Sequence, residues 1–172
     1  MKTDFYKYQA QTTPHPLALE VSHAKGCYIY DTEGKEYLDF IAGVSAISLG
    51  HCHPKIILAV KNQLDKYLHV MVYGEFIQEP AVELTKLLSR FLPENLTTTY
   101  LTNSGTEAIE GSMKLARRAT GRKEIIYAKN AYHGNTMGAL SIMGVEERKE
   151  IFQPLLPDCN SIEFNNEKDI LK

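Results

Sequence analysis

No apolar run in the sequence approaches the roughly 18 residues that a helix needs to cross a bilayer. The opening stretch MKTDFYKYQAQTTPHP lacks the apolar core of a secretory leader. Basic residues are not in surplus: Lys plus Arg number 19 against 21 for Asp plus Glu, a net charge of −2. That balance leaves no electrostatic footprint for nucleic acid or an anionic membrane surface. Cysteine is scarce, and Cys27, Cys52 and Cys159 are odd in number and far apart. They fit buried thiols in a reducing compartment better than a disulfide framework. No internal repeat or low-complexity tract is visible. The expected location is the cytoplasm.

What is present suffices for a core. Apolar residues make up 44% of 172 positions, which excludes a mainly disordered chain. Residues 1–17 read as an extended arm, with Pro14 and Pro16 opposing a helix. Residues 18–40 alternate apolar and polar around Lys25-Gly26 and Glu33-Gly34, the pattern of a meander of two or three strands. Residues 41–54 are small, apolar and glycine-punctuated, which predicts a buried loop. Pro54 suits the first turn of a helix running to about Leu68, and Pro80 starts another that Pro93 ends. TTTYLT predicts a short strand, residues 106–119 a helix closed by Gly121, and residues 124–128 a second strand. AYHGNTMGALS reads as a loop, followed by a weaker helical stretch near residues 145–152. Strand, helix and strand over residues 98–128 predict a parallel pair with a right-handed crossover. So few strands make an incomplete sheet. Residues 158–172 read as a connection into another element, and the chain is expected to be part of a larger protein.

The turn at Ser104-Gly105-Thr106 carries the first chemistry. Ser104 and Glu107 have the spacing of a reciprocal capping box. Gly105 allows an anion near the backbone, where first-turn amides and the helix dipole form a phosphate seat, and the Thr106 hydroxyl adds a donor. A well-capped helix explains the same residues without a ligand. Neither GxGxxG nor GK[ST] is present, so a dinucleotide fingerprint and an ATP-binding P-loop are both unsupported. Tyr132-His133-Gly134 follows the next strand, at the edge where parallel sheets bind ligands. A ring carried by a phosphate at the first loop would meet Tyr132, with His133 beside it. Alternatively these are a loop tyrosine and a satisfied histidine. His51-Cys52-His53 is better read as a turn before Pro54 than as a metal cluster, because three consecutive ligands rarely face one point. Glu110, Lys114, Arg117 and Arg118 read as a solvated helix face with an i,i+4 pair between Glu110 and Lys114.

NSGTEAIEGSMKLAR, followed by AYHGNTMGALS and preceded by GCYIYDTEGKEYLDFIAGVSAISLGHCHPKI, resembles the class III aminotransferases. These are fold-type I enzymes that use pyridoxal 5'-phosphate. The resemblance runs from about residue 13 to residue 141. It implies an α/β chain with an N-terminal β-meander and the first strands and helices of a large parallel-sheet domain. Residues 1–50 would be the arm and meander of a small domain, and 51–172 the start of the cofactor-binding domain. It further implies that Gly105 and Thr106 bind the cofactor phosphate, Ser104 shapes the turn, Tyr132 stacks on the pyridine and His133 sits beside it. Asn135 stands where members acting on acetylornithine commonly carry an arginine for the substrate carboxylate; an asparagine cannot form that bidentate ion pair.

The Schiff-base lysine and the aspartate that pairs with the pyridine nitrogen are expected beyond Lys172. No catalytic residue is therefore assigned within the chain, which is expected to be inactive alone. The implied reaction moves an amino group from an ω-amine or amino acid of the ornithine, acetylornithine or aminobutyrate type to a 2-oxo acid such as 2-oxoglutarate. Aminomutases and decarboxylases share the scaffold. The implied assembly is a homodimer using residues 69–78 at its interface, although an intrachain core role fits that segment equally. The alternative is a non-catalytic phosphate-ligand-binding subunit completed by a second chain.

Overall fold

The computed structural model describes residues 1–72 and 74–171, which divide into two compact units, Met1–Phe76 and Ile77–Lys172. In the first, the alternating stretch folds as the expected meander. Strands β1 (Val21–Lys25), β2 (Tyr28–Asp31) and β3 (Glu36–Leu38) pair antiparallel in that order. Gly26 and Gly34 turn the chain at φ 58° and 84°, a region that a side chain resists. Across the β1–β2 ladder His23 pairs with Tyr30, their rings stacked at 4.5 Å.

Asp39, just past β3, gathers the next segment. Its Oδ1 accepts from the amides of Ile41 and Ala42, both at 2.9 Å, and its Oδ2 lies 2.7 Å from His51 Nε2. The Ala42 amide and the His51 ring hold the Asp39 carboxyl below its ordinary range. Gly26 and His51 exchange both backbone hydrogen bonds, at 3.0 and 2.7 Å, so the loop is laced back onto the meander.

Several expectations for this unit need correction. The arm begins with a helix, α1 (Lys2–Tyr8), because Pro14 and Pro16 lie too far downstream to oppose it. Residues 41–54 are not buried: each is exposed or half-buried, and one turn, α2 (Ala42–Ser45), interrupts them with Gly43 and Val44 in left-handed conformations. Cys27 and Cys52 are exposed and Cys159 is half-buried; two occupy turns, where no core can close over a thiol. Helix α3 (Pro54–Leu64) starts at the expected proline, ends short of Leu68 and has no buried residue.

The second unit holds α4 (Glu79–Ser89), α5 (Gly105–Thr120), β4 (Ile125–Ala128), α6 (Met137–Ser141), β5 (Cys159–Ile162) and α7 (Glu167–Ile170). The capping box starts α5, and Gly121 ends it at φ 69°. TTTYLT is not a strand, because a strand exists only where a neighbour takes its hydrogen bonds, and this stretch joins neither ladder. The parallel pair is β4 with β5 instead, in register from Ile125–Cys159 to Ala128–Ile162. Residues 158–172 therefore hold a strand and a short helix rather than a plain connection. The stretch read as a loop contains α6, and the weak helical stretch becomes two 3₁₀ turns, Glu146–Arg148 and Glu150–Phe152.

The core lies where α5 meets β4 and the end of α6. Met113, Tyr127 and Ile142 are buried together, flanked by Ile109, Ile125 and Cys159. Ile109 and Met113 are one helical turn apart and share the inward face. A cation is buried nearby: Lys149, 4% exposed, donates to Tyr127 Oη at 2.6 Å and pairs with Glu146 at 3.0 Å. Burial opposes its charge, but the hydrogen bonds it donates to Tyr127 and Glu146 win and raise its pKa above the ordinary lysine value. A raised folded-state pKa adds stability below the unfolded value, about 10.4, and that stability is lost as pH climbs through the folded value. Tyr127→Phe strips the ammonium of one partner. Urea unfolding should show a loss of about 1–3 kcal/mol at neutral pH and a weaker decline above pH of roughly 10.4 than in the parent.

Candidate functional site

Helix α5 presents its N-terminus to open space. Its first helical hydrogen bond runs from the Ala108 amide to Ser104 O, and the Glu107 amide is taken by Ser104 Oγ at 3.3 Å. The amides of Gly105 and Thr106 precede that ladder and have no acceptor within the helix. The capping box is reciprocal with one change: Glu107 Oε2 accepts from the Asn103 amide at 2.8 Å, one residue earlier than expected. A Cβ built on Gly105 meets nothing within 4 Å. Gly105 is thus required neither by packing nor by a positive φ, and the space beside it is free for a ligand.

The loop after β4 closes the other side. Gly105, Thr106, Ile109, Tyr132, His133, Gly134 and Asn135 line one cleft of about 560 Å³. The structure therefore brings together four of the cofactor-site residues expected from sequence, together with Asn135; Ser104 caps the helix just behind. Tyr132 is 59% exposed, and its hydroxyl donates to Asn135 Oδ1 at 3.4 Å. Its ring is therefore available to a planar ligand while its outer end is tethered.

Close contact between loop and helix depends on glycine. Gly134 has φ 119°, and a Cβ there would overlap Thr106 Cβ and Oγ1. A Cβ on Gly138 would strike the Glu110 carboxylate. Glu110 belongs to this junction, not to a solvated face. Its Oε1 accepts from Thr136 Oγ1 at 2.5 Å and from the amides of Gly138 and Ala139 at 2.9 and 3.2 Å. Arg117 is engaged as well, donating through Nε to Lys123 O at 2.9 Å and through Nη2 to Pro157 O at 3.4 Å. The i,i+4 rule misled at Glu110 because tertiary acceptor demand outweighs a surface pair worth a few tenths of a kcal/mol. The signal that could have found it is the unsatisfied first turn of TMGALS, which needs an outside acceptor.

Elsewhere, His51 is committed to Asp39, and among the described residues no three His, Cys, Asp or Glu side chains converge for a metal. In the segment 69–78, Val70, Val72, Phe76 and Ile77 are 46, 46, 54 and 95% exposed, and Tyr73 lies outside the described residues. No helix among the described residues is long and apolar enough to cross a membrane.

Comparison with known proteins matches this geometry to one group. The family model described as Aminotransferase class-III covers residues 8–171. The chain is 39% identical to an acetylornithine aminotransferase of Archaeoglobus fulgidus over 88% of its own length and 40% of the relative's. Among solved structures it is similar to an adenosylmethionine-8-amino-7-oxononanoate aminotransferase from Methanocaldococcus jannaschii, with TM-score 0.89 and 28% identity over 99% of this chain and 42% of that one. It is also similar to taurine:2-oxoglutarate aminotransferase from Bifidobacterium kashiwanohense in complex with PLP and glutamate, with TM-score 0.84 and 26% identity over 98% and 38% of the two chains. The chain thus spans about two fifths of the length of the relatives it matches.

Proposed function

This chain belongs to the class-III aminotransferases, and on that premise we propose that its protein uses pyridoxal 5'-phosphate to move an amino group between an amine and a 2-oxo acid. The observation that carries the reading is the cleft itself: free amides of Gly105 and Thr106 on one wall and the exposed ring of Tyr132 on the other. The residues fit the cofactor, because the space over Gly105 is open where a phosphate needs it. Pyridoxal phosphate, when bound, supplies the electron sink for cleavage at the amine-bearing carbon.

The chain's own contribution is binding and orientation. The two amides and the α5 dipole would stabilise a phosphate dianion. The Tyr132 ring offers a flat apolar face to the heterocycle, and the hydrogen bond to Asn135 limits its swing. Asn135 keeps its amide nitrogen as a donor and can give a substrate carboxylate a single hydrogen bond, not a bidentate clamp. Donors of the ornithine, acetylornithine or aminobutyrate type remain the best candidates, with 2-oxoglutarate as acceptor. Residues 1–50 would then belong to a smaller domain and 51–172 to the start of the cofactor-binding one, in a cytoplasmic homodimer. The exposed apolar side chains of segment 69–78 support an interface there.

Gly105→Ala in the complete protein tests the site. The added methyl meets no protein atom, so unfolding free energy should stay within about 0.5 kcal/mol of the parent. The same methyl intrudes on the phosphate, so the Kd for pyridoxal phosphate should rise by about tenfold or more, a cost of roughly 1.4 kcal/mol. Unchanged affinity would reject the site.

A further inference from the structure

Three side chains, running back from the cleft wall at Thr106, form a directed chain of hydrogen bonds. Thr136 Oγ1 lies 2.5 Å from Glu110 Oε1 and 2.8 Å from Thr106 Oγ1. A carboxylate only accepts, so the single Thr136 proton goes to Glu110. Thr136 can then only accept from Thr106, and the Thr106 hydroxyl must donate to it. The order of protons follows from the valence of three groups, not from any choice of rotamer. With that order the Thr106 proton points at Thr136, and toward the cleft its oxygen presents lone pairs.

We propose that Glu110 is a positioning residue for the cofactor site. Through Thr136 it takes up the Thr106 hydroxyl, so that on this wall the grip on the phosphate falls to the backbone amides. The same oxygen accepts from the amides of Gly138 and Ala139, which fixes the start of α6 and with it the 132–135 loop. One carboxylate oxygen thus sets the spacing between the phosphate wall and the ring wall. Every hydrogen bond to Glu110 at this junction falls on Oε1. A glutamine keeps that acceptor and an alanine does not. The inference rests on the site reading above.

The test is titration of the complete protein, freed of cofactor, with pyridoxal phosphate, alongside thermal unfolding of each variant. Glu110→Ala should raise the Kd at least tenfold. Glu110→Gln should restore it to within threefold of the parent, because the acceptor and not the charge is what the junction uses. Lys114→Ala, on the same helix but away from this junction, should also stay within threefold. If Glu110→Gln binds as weakly as Glu110→Ala, the acceptor is not what the junction uses and the inference is wrong. Should Glu110→Ala lose thermal stability yet bind as the parent does, Glu110 is only a helix cap and the inference is again wrong. A parent protein that does not bind pyridoxal phosphate removes the site reading itself, and this inference with it.

Discussion

Replacing Gly134 by alanine is expected to cost about 2–4 kcal/mol of stability and to weaken pyridoxal phosphate binding by about two orders of magnitude. Two penalties act at this residue, and because one backbone shift relieves part of both they do not add in full. Its φ of 119° is a conformation in which an L side chain is strained, at roughly 1–3 kcal/mol. The new Cβ would also overlap the Cβ and Oγ1 of Thr106, an overpacking cost of about 1–3 kcal/mol. The chain can relieve the overlap only by moving residues 132–135 away from α5. That motion separates Tyr132 from Gly105 and opens the cleft, so affinity should fall along with stability. Trimming the other partner separates the two penalties. In a Gly134→Ala/Thr106→Gly double variant the overlap is reduced but the φ strain persists, so part of the loss should return. Denaturant unfolding of the four proteins in the cycle measures the coupling, and full additivity would show that the two residues do not press on each other.

Gly144→Ala should be more damaging to the fold, at about 3–5 kcal/mol. Here no positive φ is involved. An added Cβ would fall among Asn130 N, Ala128 O and Ala131 N, all of them main-chain atoms. Gly144 also exchanges hydrogen bonds with that same segment: its amide reaches Ala131 O at 2.8 Å, and Asn130 N reaches Gly144 O at 3.0 Å. A methyl group has to push the two backbones apart and break both. No second substitution can make room, because there is no side chain to trim. Hydrogen exchange should accelerate at the Asn130 and Gly144 amides, together with a lower thermal midpoint. Unchanged exchange would mean that the packing is looser than described.

The elements governed by local chemistry were readable in the residues. Ser104, Glu107 and Gly121 define α5 at both ends, and Gly26 and Gly34 define the meander, because caps and turns are decided within four residues. The cleft was readable too, as two short motifs with small residues beside an aromatic one. What could not be read depends on partners distant in sequence. Residues 98–102 have strand composition but no neighbour in either ladder, whereas Cys159–Ile162, with an unremarkable CNSI, is a strand because β4 lies beside it. Glu110 looked like a solvent residue because its acceptors' clients, Thr136, Gly138 and Ala139, lie more than twenty positions away. The direction of the Thr106 hydroxyl was out of reach for the same reason, since it is set by a group it never touches.

The β4–β5 ladder joins Ile125 to Cys159 across residues 129–158, and that span carries Tyr132, the buried Lys149 and the whole of α6. Pairing so distant in sequence must wait for loop closure, whereas α5 can wind from its own caps. The two walls of the cleft thus answer to different ranges of the chain: the amide wall to caps a few residues apart, the aromatic wall to a closure of about thirty residues. A change anywhere between the two strands can therefore reach the ring wall while leaving the amide wall as it is.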